Sequence, residues 1–225
     1  MGWVQEMTHR IPDDYDSDPG RFQAADRDWQ LRGDAHEVVA ARLSREGVAP
    51  VIDVGGGRGR LADLLPATVV VDSSPAQLAD AAGPKVRADA RSLPFGAGVA
   101  GAVTMLWMLY HLDDPVVAIE EARRVLGPGG LFAACTASRR NDPELTDGYP
   151  RSTFDAEDAP AIVGSVFGDV EVVTWDGPFT RLPDHSAVLR YCRSHFLPPE
   201  AADRVTPPVT LTKRGCLVWA RATRP

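Results

Sequence analysis

The sequence predicts an α/β domain, a mostly parallel sheet with helices on both faces. Short apolar runs alternate with capped, helix-forming segments through the first two-thirds of the chain, the order that builds βαβ units. The run from Ala100 to Trp107 is continuously apolar, as a strand covered on both faces must be. A glycine cluster follows the first such run directly, where a strand has to turn sharply into a helix.

The elements follow in order. Asp34 to Glu46 reads as a helix with Ala35, Val38, Val39 and Leu43 on one face and Gly47 as its stop. Val51 to Val54 is the first strand, and Gly59 to Leu65 opens a second helix. Val69 to Val71 is strand two. Pro75 to Ala82 is a helix with Ser74 as N-cap and Pro75 in its first turn. Lys85 to Ala88 is strand three and Ala100 to Trp107 strand four. A helix begins at Asp114 or Pro115 and ends near Leu126, Gly127 to Gly130 form a turn, and Leu131 to Thr136 is strand five. A polar stretch, 137–153, then reads as a long functional or mobile loop. Asp155 to Phe167 is a helix, Val170 to Trp175 strand six, and Asp184 to Phe196 a helix. Thr210 to Ala222 is the last strand, with a bulge near Gly215. Seven strands result, the late pair closing the sheet with an antiparallel edge.

Composition narrows the function. The chain has 225 residues, 44% hydrophobic and 24% charged, and a formal net charge of −7. This is ordinary globular usage, and the length suits one core with residues left over for a lid. No apolar run reaches the roughly 20 residues that span a bilayer, and Met1 to Arg10 shows no apolar signal core, so a cytoplasmic protein is expected. Basic residues are scattered, and pairs such as Arg139-Arg140 are too short to track phosphates, which disfavours a nucleic-acid partner. The cysteines Cys135, Cys192 and Cys216 are odd in number and widely spaced. They suggest reduced structural thiols, and neither a disulfide framework nor a metal site is expected.

The strongest chemical signal is Val51-Ile52-Asp53-Val54-Gly55-Gly56-Gly57-Arg58-Gly59. Glycines there let the backbone turn and a ligand approach without a Cβ in the way, and the following helix start offers free N–H groups. A dinucleotide fingerprint would place its third glycine at position 60, where Arg60 stands, so the spacing Gly55-x-Gly57-x-Gly59 behind Asp53 differs from it. Asp72 ends strand two roughly 20 residues after the motif begins, where a carboxylate can accept from vicinal ribose hydroxyls. Asp89, before Ala90, can accept from an exocyclic amine.

Together these residues resemble the class I S-adenosylmethionine-dependent methyltransferases, in the broad subgroup acting on small molecules and ubiquinone-type compounds. Further matches are Ala102 to Leu112, similar to the fourth-strand motif with its trailing His-Leu, and Glu121 to Leu131, similar to the helix and turn after it. The resemblance runs from about residue 34 to 136 and more weakly beyond. It implies a Rossmann-like fold and S-adenosyl-L-methionine as cofactor. It also implies that Asp53, Gly55, Gly56, Gly57 and Gly59 cradle the methionine part, Asp72 and Ser73 the ribose, and Asp89 with Ala90 the adenine, with Leu106 and Trp107 beside the sulfonium. His111 is the candidate base, with His185 and His195 as weaker options. Residues 1–33 form an expected lid, through Tyr15, Phe22 and Trp29, with Arg32 reaching the donor carboxylate. The domain proper is 34–225, in which 137–153 (around Tyr149) and 184–199 would wall the acceptor.

The acceptor is expected to be a small molecule, a secondary-metabolite intermediate. Three other readings compete: a repurposed domain that binds the cofactor without transferring methyl, an NAD(P)-dependent oxidoreductase, and a nucleic-acid methyltransferase. The oxidoreductase lacks its third glycine and gives Asp89 no role. The nucleic-acid enzyme lacks a basic track and an Asn-Pro-Pro-Tyr-type motif.

Overall fold

A computed structural model describes Gln30, Leu31 and residues 34–223. The expectations placed on Tyr15, Phe22, Trp29 and Arg32 lie outside these residues. The elements are α1 (Ala35–Arg45), β1 (Val51–Val54), α2 (Arg60–Leu64), β2 (Val69–Asp72), α3 (Pro75–Ala79), β3 (Lys85–Arg87) and β4 (Ala100–Leu106). There follow a single 3-10 turn (Leu109–His111), α4 (Pro115–Val125), β5 (Leu126–Ala137), α5 (Ala159–Phe167), β6 (Val170–Leu182), α6 (His185–Ser194), a 3-10 segment (Pro199–Arg204) and β7 (Val209–Arg221). The strands form one seven-stranded sheet in the order β3-β2-β1-β4-β5-β7-β6. β1 to β5 are parallel, while β7 runs antiparallel to both β5 and β6. The reversed strand is thus the one next to the edge, and β6 is the edge itself.

Local chemistry sets the helix starts. The Asp34 side chain accepts from the Glu37 N–H at 3.1 Å. Ser74 does the same for Gln77 at 3.2 Å, with Pro75 in the first turn. Asp114 caps α4 through the Val116 N–H, again ahead of a proline. Such caps satisfy amides that have no partner inside the helix. α4 then buries Ala118, Ile119, Ala122 and Val125 at helical spacing against the sheet. α1 buries Val39, Ala40 and Leu43, whereas Val38, expected on its inner face, is 51% exposed.

Two apolar layers cover the sheet. α4 and α5 pack one face, where Phe132 stacks on Phe167 at 5.0 Å. α1 packs the other, with Val39 and Leu43 over Val51, Leu131 and Trp219, and the Arg42 guanidinium 4.3 Å above the Trp219 ring. A third core lies beyond the carboxyl edge of the sheet. There β6 and β7 extend past their neighbours and are covered by α6 and the 3-10 segment, through Leu145, Leu182, Val188, Tyr191 and Leu211.

Several expectations need correction. Gly127 to Gly130 are not a separate turn but lie within β5, where its register with β4 shifts, and Gly129 and Gly130 exchange backbone hydrogen bonds with Ala222 just past β7. The irregularity expected near Gly215 falls on the partner strand, between Pro178 and Thr180. β6 runs seven residues beyond Trp175, the expected end, because β7 supplies a ladder for it. α2 has only five residues, so the dipole expected behind the glycine motif is short.

Candidate functional site

β1 lies between β2 and β4, so successive connections leave it in opposite directions and open a crevice at its carboxyl end. The glycine loop fills the floor of that crevice. The Gly55 and Gly56 N–H groups donate to the Val71 carbonyl at 2.7 and 3.1 Å, drawing the loop over β2. Gly57 and Gly59 have φ of +53° and +81°, values that cost a side-chain-bearing residue stability. Gly55 shares this feature, with φ of +68°, and at it and at Gly56 contact is an obstacle as well. A Cβ on Gly55 would stand 2.6 Å from Met108 Cγ, and one on Gly56 would stand 2.5 Å from Asp53 Oδ2.

Asp53 is 1% exposed. Its Oδ1 accepts from the Thr104 hydroxyl at 2.6 Å, while its Oδ2 is buried with no hydrogen-bond partner. Burial pushes its pKa from 3.8 up to about 6, against the pull of Thr104, and the nearby charge of Asp72 adds to the rise. Asp72, at the head of β2, accepts from the Gly57 N–H and the Ser74 N–H, both at 2.9 Å. It therefore ties the glycine loop to the start of α3. Ser73 beside it is exposed, and its carbonyl accepts from Arg87.

The remaining sequence candidates divide. Ala90 is buried, and Asp89 is half-exposed, its carboxylate gripped by Arg91 Nη2 at 2.6 Å and by the Arg91 N–H at 2.8 Å. Leu106 is buried at the end of β4, and Trp107 after it has φ +59° and meets Trp175 edge to face at 6.0 Å. His111 sits in the 3-10 turn after β4, against Tyr110 with ring centroids 4.4 Å apart. Burial lowers its pKa from 6.5 to about 4, so the ring is neutral at pH 7 but weakly basic. His185 is exposed at the start of α6. His195 stacks on Tyr191 at 3.9 Å and its Nδ1 meets Ser194 Oγ at 2.9 Å, which makes it a packing residue of α6.

The crevice as a whole is acidic and stereochemically bare. Two carboxylates at the heads of β1 and β2, one of them with an unused buried oxygen, suit a ligand carrying positive charge and hydroxyls. They do not suit a pyrophosphate. Arg60, at the position of the missing third glycine, is occupied with Asp34 at 3.3 Å and Glu37 at 3.2 Å, fastening α2 to α1.

Residues 52–134, from the second residue of β1 into β5, match the family described as "Methyltransferase domain". This stretch is a class I methyltransferase domain. The methyl donor of such domains is S-adenosyl-L-methionine. Among curated relatives, an uncharacterized methyltransferase of Mycobacterium sp. (strain JLS) is 35% identical over 124 residues, 51% of this chain and 49% of that protein. A demethylmenaquinone methyltransferase of Mycobacterium bovis (strain BCG / Pasteur 1173P2) is 30% identical over 108 residues, 48% of this chain and 45% of that protein. The chain thus spans about half the length of the curated relatives it matches. Among solved structures, the [4+2]-cyclase SpnF superposes with a TM-score of 0.66 at 16% identity, over 96% of this chain and 97% of that one, a likeness of fold.

The structure holds features, inside and beyond this stretch, that the sequence did not announce. Thr104 and Met108 shape the floor beneath the glycine loop. The polar 137–153 stretch is tightly held: Asp142, 0% exposed, accepts from Tyr149 Oη at 2.8 Å, Tyr191 Oη at 2.9 Å, Lys213 Nζ at 2.9 Å and Asn141 Nδ2 at 3.1 Å. Lys213 Nζ also contacts Tyr191 Oη. In sequence Asn141 and Asp142 belong only to a polar loop, and only the fold brings Tyr191 and Lys213 to Asp142. Trp175 was read only as the end of a strand.

Proposed function

We propose that this chain transfers a methyl group from S-adenosyl-L-methionine to a small molecule, an intermediate of bacterial secondary metabolism, in the cytoplasm. The observation that carries the reading is the buried, unpartnered Asp53 Oδ2 beneath a loop that no side chain can enter. A carboxylate left so is costly unless a cationic ligand completes it. Gly55, Gly56, Gly57 and Gly59 would hold the donor's methionine part above Asp53. Asp72 with Ser73 would hold the ribose and Asp89 with Ala90 the adenine, with Leu106 and the Trp107 indole beside the sulfonium, where a ring face attracts positive charge.

When bound, the donor supplies an electrophilic methyl group, so the protein's task is alignment and exclusion of water. Holding reactants in line can supply roughly 7–11 kcal/mol at the upper limit. His111 is the nearest candidate to take a proton from the acceptor. Its low pKa suits an acceptor that is already acidic and gives little help to an alcohol. Among the described residues no helix is long and apolar enough to cross a membrane, and the acidic crevice disfavours a polyanionic substrate.

Isothermal calorimetry with S-adenosylhomocysteine and with NAD tests the donor assignment. Heat with the first and none with the second is expected, and the reverse would overturn it. Mass spectrometry of a turnover mixture should show a product heavier by one methyl group with S-adenosylhomocysteine formed alongside. The fold shared with a cyclase favours one second reading, cofactor binding without methyl transfer. A product of unchanged mass would select it.

A further inference from the structure

We propose that Trp107 and Trp175 form the floor on which the acceptor lies, and that the acceptor presents a flat, uncharged, unsaturated ring to it. The proposal rests on the methyltransferase reading and adds the substrate class. Trp107 follows β4 at the crevice, and Trp175 stands on β6 on the α1 side of the sheet. The two indoles meet at 6.0 Å and 63°, an edge-to-face contact that leaves a ring face uncovered by its partner. Both side chains are only half-buried.

Two features hold this floor in place at a cost. Trp107 adopts φ +59°, a conformation that is an outlier for a bulky residue and that tends to mark functional positions. Trp175 lies over Gly215, its cross-strand partner on β7. A Cβ there would overlap the Trp175 ring and stand 2.5 Å from the Thr136 carbonyl. The sheet thus gives up a side chain at Gly215 so that an indole can lie flat toward β4. The charges nearby on β7 are already balanced, Lys213 by Asp142 at 2.9 Å and Arg214 by Asp176 at 3.0 Å. The two indoles pack on an apolar cluster of the sheet, and a planar ring is recognised on such a surface by stacking.

The experiment is calorimetry of the full chain saturated with S-adenosylhomocysteine, titrated with 2-naphthol or with its saturated analogue decahydro-2-naphthol. The pair shares one carbon skeleton and one hydroxyl but differs in flatness. The wild type should bind 2-naphthol about tenfold more tightly than the saturated alcohol. Trp175→Leu, which keeps apolar volume without a flat face, should lose that preference, and Trp175→Phe should retain it, with affinity for S-adenosylhomocysteine unchanged in both. Equal binding of the two alcohols by the wild type, no binding of either, or a preference surviving in Trp175→Leu would overturn the proposal. Failure of the wild type to bind S-adenosylhomocysteine would instead overturn the methyltransferase reading, so the two failures are distinct.

Discussion

Asp53 and His111 are both buried and both titrate away from their ordinary ranges, in ways that oppose each other. Asp53 has a pKa of about 6 in the fold against 3.8, so the folded state binds more protons between those values. Stability is therefore lost as pH rises from about 4 to 6, by about 3 kcal/mol. His111 has a pKa of about 4 against 6.5, so there the unfolded state binds more protons. Its contribution is present above pH 6.5 and lost as pH falls toward 4, again by about 3 kcal/mol. Between pH 4 and 6 the two slopes nearly cancel. Urea denaturation at several pH values should show no net slope from this pair in the wild type across that window. Asp53→Asn should uncover the histidine, with stability falling as pH falls. His111→Gln should uncover the aspartate, with stability falling as pH rises. At the level of activity, His111→Ala should keep affinity for S-adenosylhomocysteine. If it also keeps full turnover, His111 shapes the pocket and takes no proton.

Elements differ in how much of themselves they write into the sequence. Ser74 with Pro75 and Asp114 with Pro115 announced their helices because capping is local chemistry. The glycine loop and Asp72 were legible because a strand-to-helix turn that must stay bare leaves few residue choices. The β6 half of the β6–β7 arm was not legible past Trp175, since its strand pairing depends on partners 27 to 38 residues away. Nor was Val38's exposure, because α1 meets the sheet along a face shifted by one residue toward Ala40. The Asp142 cluster was hidden for the same reason as the arm. Four donors converge on one buried carboxylate from the 138–153 stretch, α6 and β7, and that convergence is tertiary. Such a group is expensive to leave incomplete. Lys213→Met should destabilise the protein by about 3 kcal/mol, because removing one partner strands a buried charge. Replacing both, Asp142→Leu with Lys213→Met, should cost less than Asp142→Leu alone, since Lys213 then no longer needs a counter-charge. Thermal or urea unfolding of the three variants would expose an error here as an additive result.

At the scale of the whole molecule, the proposed donor site and the fold draw on the same crevice, so on that reading the apo protein carries a deficit that the ligand removes. The glycine loop, the head of β2 and the end of β4 come from three separate chain segments that the sheet brings together. A ligand spanning them binds the folded state and not the unfolded chain. At S-adenosylhomocysteine one hundred times its Kd the stabilisation is about 2.7 kcal/mol, which for a domain of this size raises Tm by roughly 5–10 °C. NAD at the same concentration should leave Tm unchanged, because its pyrophosphate would face the Asp53 and Asp72 carboxylates. Asp72→Ala should abolish most of the shift while the fold persists in circular dichroism, since it removes the proposed ribose contact and two loop hydrogen bonds but no core. A scan in which NAD stabilises and S-adenosylhomocysteine does not would mean that the acidic floor had been assigned to the wrong nucleoside.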